Sequence, residues 1–151
     1  MGAARSPEQL AKMQELEAAG ICVFCRENFD EYHEKPILME RDFWYVTEND
    51  YPYKGSRLHL LLIPQKHVSG FHELPAQAGF ELFEILNRLK MKYGYPSEAL
   101  IGRSGDMRRN GGSVEHLHLH YIVGNTDNLE HEEIRFKVSS QFTDKQEPPD
   151  R

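Results

Sequence analysis

Apolar residues recur along this chain with two different periods. Near the start, Leu10, Met13 and Leu16 follow helical spacing, Ser6 and Gln9 have capping-box spacing, Pro7 suits a first helical turn, and Gly20 stops the pattern. An N-terminal amphipathic helix is predicted, delivering the chain into Ile21-Cys22-Val23-Phe24-Cys25. Residues 37 to 48 carry Ile37, Leu38, Phe43, Trp44, Tyr45 and Val46 around a charged Glu40-Arg41-Asp42 turn, the pattern of a β-hairpin. After a loop from Asn49 to Ser56, the apolar run Leu58 to Ile63 is a strand ended by Pro64, which cannot donate to a ladder. A second helix begins at Pro75; Phe80, Phe83, Leu86 and Leu89 or Lys90 recur at steps of three and four until Gly94-Tyr95-Pro96, so that face should cover the sheet.

The remaining strands follow the same logic. Residues 99 to 103 form a short candidate, Ser104 to Gly112 a glycine-containing loop, and His116 to Val123 a long strand. Ile134, Phe136 and Val138 alternate with Arg135 and Lys137, which predicts one more. The order of elements implies an α+β domain with a five-stranded, mainly antiparallel sheet and two or more helices. Residues 1–20 read as a helical extension, 21–140 as the domain, and 141–151 as a polar tail expected to be disordered.

Composition narrows the function classes. The chain has 151 residues, of which 39% are hydrophobic and 28% charged, enough for one domain with its own core and without an apolar run of membrane-spanning length. Its formal charge of -6 repels polyanions, so bulk nucleic-acid binding is not expected and a phosphate-bearing ligand would need a local pocket. The first twenty residues are polar and lack a secretory h-region, which implies cytoplasmic residence. Met1-Gly2-Ala3-Ala4-Arg5-Ser6 fits the loose N-myristoylation pattern, one that arises often by chance. Cys22 and Cys25 are the only cysteines; in a reducing compartment such a C-x-x-C pair favours metal or redox chemistry over a structural disulfide.

The chemistry concentrates at His116, His118 and His120. On a strand, side chains two apart share a face at about 6.5 to 7 Å, so three alternating histidines make a row of imidazoles while Leu117, Leu119 and Tyr121 face the other way. Such a row could be a solvated strand face or a metal site. It could equally attack phosphorus: a neutral imidazole is a good nucleophile and then a good leaving group, dividing one hard displacement into two. Neighbouring rings would supply protons and depress one another's pKa.

The run His116-Leu117-His118-Leu119-His120-Tyr121-Ile122 resembles the signature of the histidine triad (HIT) family. The resemblance extends through Cys22-Val23-Phe24-Cys25, the Asn49-Asp50-Tyr51-Pro52-Tyr53 loop and His59 to His67, covering roughly residues 22 to 124. It implies an enzyme that hydrolyses or transfers nucleotides at the α-phosphorus of dinucleoside polyphosphates or nucleoside phosphoramidates. His118 would be the nucleophile, oriented by a backbone carbonyl, with His120 on the phosphate and Ser113 assisting the leaving group. Amides of Gly111, Gly112 and Ser113 would hold nonbridging oxygens, and Asn49 the ribose. The alternatives are a dinucleoside polyphosphate phosphorylase, a nucleotide-binding adaptor with negligible turnover, or a zinc-dependent interaction module. A homodimer joined through its sheets is also implied.

In zinc-containing members of that family the metal ligands match Cys22, Cys25, His67 and His116 here, a closed structural set. His59 and His72 are alternatives to His67; a thioredoxin-like redox pair and two unligated cysteines are rivals for Cys22 and Cys25. The chain departs from a well-known branch of that family, which has an asparagine before the glycine loop where this chain reads Arg103-Ser104-Gly105. Arg103, Arg108 and Arg109 read either as an anion-attracting patch or as a solvated loop.

Overall fold

The computed structural model describes residues 7–139, so the Ser6 cap, the acylation pattern and the 141–151 tail lie outside the described residues. Helix α1 spans Pro7–Ala18. It ends at Gly20, φ +73°, with Ile21 N–H donating to the Leu16 carbonyl and Gly20 N–H to that of Glu17. That paired closure needs a left-handed residue, which glycine adopts without a Cβ clash. A 3-10 turn at Arg26–Asn28 runs into the single-turn helix α2, Phe29–Tyr32.

Strands β1 (Ile37–Glu40), β2 (Trp44–Glu48), β3 (Ser56–Pro64), β4 (Ala99–Gly102) and β5 (Leu119–Gly124) form one antiparallel sheet in the order β1-β2-β3-β5-β4. The helix α3, Ala76–Tyr93, covers one face. There Ile85 and Leu89 pack on Trp44, Val46, Leu58, Leu60, Leu62, Leu119, Tyr121 and Val123. Each such aliphatic side chain contributes about 1.5–3 kcal/mol on full burial. Two polar contacts fix the helix in place: Trp44 Nε1 donates to the Ala78 carbonyl at 2.8 Å, and Glu81 accepts from the amides of Asp42 and Phe43 in the hairpin turn.

The alternate residues of the same strands point to the other face. Tyr45, Leu61 and Ile63 meet Phe24 and Phe29, which the N-terminal segment brings across the sheet, and Tyr45 Oη donates to the Phe24 carbonyl at 2.6 Å. This second face also receives His59, His118 and His120, because Leu61 is paired with His120 and residues two apart share a side.

Three expectations are corrected. The strand expected from His116 begins only at Leu119: its register partner there is Leu62, and two residues further on β3 reaches Pro64, which has no N–H to donate. The Leu117 amide bonds instead to the Val68 carbonyl at 2.7 Å. Residues 134–138 form no strand; Arg103 takes the Lys137 carbonyl, and the segment crosses the second face rather than joining an edge. In α3, Leu89 of the expected stripe is buried and Leu86 packs partly buried on the core, but Phe80 and Phe83 are 73% and 69% exposed, and Ala78 and Ile85 turn inward in their place. Both stripes have helical spacing, and only contact with the sheet selects between them.

Candidate active site and metal centre

The three histidines of the run do not act as one row. His116 is fully buried; its Nε2 donates to the Pro64 carbonyl at 2.9 Å, so its neutral ring carries the lone pair on Nδ1. That Nδ1 lies 3.4 Å from Cys22 Sγ and 3.7 Å from Cys25 Sγ, and Cys25 Sγ lies 3.2 Å from His67 Nδ1. The four donor atoms lie within 4.8 Å of one another and could hold a metal ion. Burial lowers the His116 pKa to about 4, keeping the ring neutral as a ligand requires. Burial and the adjacent Cys22 push the Cys25 thiol up to about 12. A divalent cation would compensate the thiolates that such a cluster would present. His72 is exposed in the turn after β3 and joins no cluster among the described residues.

His118 turns to a different partner. Its Nδ1 donates to the carbonyl of His116 at 2.9 Å, which leaves the lone pair of the neutral ring on Nε2. The ring is edge-on to Phe24 at 4.8 Å and to His120 at 5.1 Å.

The sequence reading missed His59 in this role. The Tyr53 amide donates to His59 Nδ1 at 3.1 Å, so a neutral His59 bears its proton on Nε2, and that nitrogen lies 2.8 Å from His120 Nδ1. His120 therefore accepts on Nδ1 and carries its own proton on Nε2. A backbone donor thus sets the tautomers of two rings in series. Burial, with the His118 charge second, lowers the His59 pKa to about 4. The sequence did hold a signal: His59 is the one ionisable residue in the apolar run of β3, at the parity that faces the triad once β3 and β5 pair.

Other expected residues are placed as follows. Asn49 sits half-buried at the end of β2; its Oδ1 accepts from the Tyr51 amide and its Nδ2 lies 3.4 Å from His59 Nε2. Asp50 is turned away, accepting from His33 and from the amides of Glu34 and Lys35. The glycine loop holds a single helical turn α4, Met107–Asn110. The Gly111 amide donates to the Met107 carbonyl and the Gly112 amide to Asn110 Oδ1, so two of the three amides expected to hold phosphate are engaged within the loop. Ser113 is exposed and lines a cleft with Met13 and Leu16 of α1 and the Cys22–His116 cluster. Arg108 pairs with Asp106 at 2.8 Å, whereas Arg103 reaches the second face.

Comparison with known proteins then decides the family: a profile described as the HIT domain matches residues 34–127. The chain belongs to the HIT domain family. Its fold is similar to that of a HIT family hydrolase from Clostridium thermocellum (24% identity, TM-score 0.56, 76% of this chain and 96% of that one). It is similar, too, to a histidine triad nucleotide-binding protein from Candida albicans (17%, 0.57, 80% and 86%) and a histidine triad protein from Clostridium difficile (21%, 0.55, 74% and 96%). Among curated proteins none matches. These neighbours share the α+β architecture with its five-stranded antiparallel sheet, and within it this HIT domain has no helix, among the described residues, long and apolar enough to cross a membrane.

Proposed function

We propose that this HIT domain protein is a nucleotidyl hydrolase or transferase that works through a covalent nucleotidyl-His118. The observation that carries the reading is the bond from His118 Nδ1 to the His116 carbonyl, because it directs the lone pair of the ring to Nε2. In the first step that lone pair forms a P–N bond to the α-phosphorus and the bond to the leaving group breaks, its oxygen or nitrogen taking the Nε2 proton of His120, which enters the step as the imidazolium and is left as the neutral ring. In the second step water attacks, the P–N bond breaks back to His118, and the water proton passes to His120. The substrates are dinucleoside polyphosphates or nucleoside phosphoramidates. The Ser113 hydroxyl would assist the leaving group, and Asn49, bordering His59, would meet the ribose. The similarity to the histidine triad nucleotide-binding protein of Candida albicans supports this reading.

The cluster of Cys22, Cys25, His67 and His116 fits zinc. A tetrahedral ion with about 2.3 Å to sulfur and 2.0–2.1 Å to nitrogen spaces its donors about 3.3–3.8 Å apart. The three donor distances of 3.2, 3.4 and 3.7 Å fall close to that range. Such an ion, ligated by four protein groups, would tie the N-terminal turn to the sheet and take no part in the reaction. Two thiols kept free for a metal suit a reducing cytoplasm. A homodimer would use the β4 edge and the exposed Phe80, Phe83 and Met91 of α3.

The test is chemical. Rapid quenching in base during turnover should yield a nucleotidylated peptide containing His118, stable to mild base and lost on brief acid treatment. No adduct, with inversion at a chiral α-phosphorus, would mean direct attack by the acceptor and would end the double-displacement mechanism.

A further inference from the structure

The segment after β5 returns over the histidine face, and Arg103 holds it there. Residues 131 to 134 pass close to Gly55, where a Cβ would meet the Glu132 carbonyl at 3.1 Å. Two residues later the Phe136 ring stands 5.3 Å from that of His120 and 6.4 Å from that of Tyr53. Arg103 stacks on Phe136 with its guanidinium carbon 3.8 Å from the ring centroid, and its Nε and Nη2 donate to the Lys137 carbonyl at 3.0 and 2.6 Å. Its stem lies against the glycine loop, 3.5 Å from where a Cβ on Gly112 would be.

This placement fixes a half-buried cation on Phe136, whose ring in turn stands 5.3 Å from that of His120. None of the ion pairs among the described residues includes Arg103. Its contacts are to the Lys137 carbonyl, the Phe136 π face and the Tyr53 side chain, which raises its pKa by a hydrogen bond, and none of these is a carboxylate. Burial lowers that pKa, so the charge is held at a desolvation cost that an anion would relieve. In a chain of net charge -6 whose Arg108 is already paired with Asp106, this is the cation in the glycine loop region that the fold directs to His120 through Phe136.

We propose that Arg103, latched on Phe136 and the Lys137 carbonyl, is the specificity-determining residue for leaving groups that carry phosphate. The proposal rests on the nucleotidyl-transfer reading of the triad and names its substrate class: dinucleoside polyphosphates over phosphoramidates. The chemistry separates them. A phosphate leaving group departs with its electron pair and remains a polyanion even after its oxygen takes a proton, and a fixed guanidinium stabilises that charge by charge-assisted hydrogen bonds. An amine leaves only after taking a proton, which His120 supplies, and gains nothing from a nearby cation.

Three proteins decide it: the wild type, Arg103→Met, which keeps an apolar stem on Phe136 without charge, and Arg103→Lys, which restores charge without the fork. Each is assayed for kcat/KM on diadenosine tetraphosphate and on adenosine 5′-phosphoramidate, and for binding of inorganic tripolyphosphate by calorimetry. Arg103→Met should lower kcat/KM on the tetraphosphate about 10- to 100-fold, the range of a charge-assisted hydrogen bond, and leave the phosphoramidate within about threefold. Tripolyphosphate affinity should fall by at least about tenfold in Arg103→Met and recover in part in Arg103→Lys. Added potassium chloride should depress tetraphosphate turnover in the wild type more steeply than in Arg103→Met. An equal loss on both substrates, with tripolyphosphate affinity unchanged, would make Arg103 a latch for the segment and overturn the proposal. Wild-type protein that turns over neither compound would end the nucleotidyl-transfer reading instead, and tripolyphosphate affinity would still decide whether Arg103 takes an anion.

Discussion

Lowering the pH should uncover the burial of His59 as a stability loss that a non-titrating substitute does not show. The ring is 3% exposed, and its pKa is lowered from 6.5 to about 4 by burial and then by His118. A histidine with a depressed folded pKa stays neutral in the native state while the unfolded chain takes up its proton. The native state is therefore unpenalised above about pH 6.5 and loses stability as pH falls toward 4. One pKa unit corresponds to about 1.4 kcal/mol, so the loss attributable to His59 reaches about 3 kcal/mol at pH 4. His59→Gln keeps an oxygen for the Tyr53 amide and a donor for His120 Nδ1 but has no proton to gain. Urea unfolding at pH 7, 5.5 and 4 would be compared between the two proteins. The subtraction removes titrations they share, those of the Cys22–His116 cluster included. Wild type should lose about 3 kcal/mol more than His59→Gln between pH 7 and 4. Parallel losses would show that His59 is not held neutral by its surroundings, and the tautomer series drawn from it would fall.

Further expectations are direct. His118→Ala should reduce kcat by more than about 1,000-fold with nucleotide affinity within a few fold, by stopped-flow turnover and calorimetry; retention of a tenth of the activity would exclude a nucleophile. Cys22→Ser and Cys25→Ser should each lose bound zinc by elemental analysis and melt several degrees lower, whereas wild type lacking zinc after expression in zinc-supplemented medium would refute the centre. Gly102→Ala should destabilise by about 1–3 kcal/mol, since a Cβ there would overlap the Leu119 side chain and press on Phe71; an unchanged melt would place that strand elsewhere. Phe83→Glu should shift sedimentation from dimer to monomer at micromolar concentration, and no shift would remove α3 from the subunit contact.

Elements with a single self-consistent pattern were legible in the sequence. The hairpin of β1 and β2, the Leu58–Ile63 core of β3 and the helix from residue 76 follow from local alternation, Pro64 and Gly94. What local pattern cannot supply is the identity of the neighbour. Phe80 and Phe83 had the right spacing for a core stripe with Leu89, but Ile85 had it equally, and the sheet accepted Ile85 and Leu89. The 134–138 alternation had strand periodicity with no ladder to join, and its apolar side chains were used across the face, at Phe136, instead. The site divides along the same line. His116, His118 and His120 could be picked out because their chemistry lies in one run. His59 lies 61 residues from His120 and became visible only through the β3–β5 register.

That register changes what the histidine run means. Strict alternation suggests three equivalent rings, yet each imidazole has two nitrogens, and the main chain assigns them differently. The Pro64 carbonyl takes the Nε2 proton of His116 and leaves Nδ1 to the cysteines; the His116 carbonyl takes the Nδ1 proton of His118 and leaves Nε2 to the opposite side. A ring whose remaining nitrogen faces two thiols is turned away from a phosphate, so in the proposed mechanism the run would contribute two rings to the reaction and one to a metal. The third ring of the proposed reacting set is His59, set by the Tyr53 amide and passing its orientation to His120. The proposed nucleophile and proton donor thus receive their tautomers from separate backbone groups, on the β5 approach and in the β2–β3 loop. Changes that shift either loop without touching a histidine should then alter turnover by changing which nitrogen carries the proton, since a neutral imidazole with the wrong tautomer offers a proton where the reaction needs a lone pair.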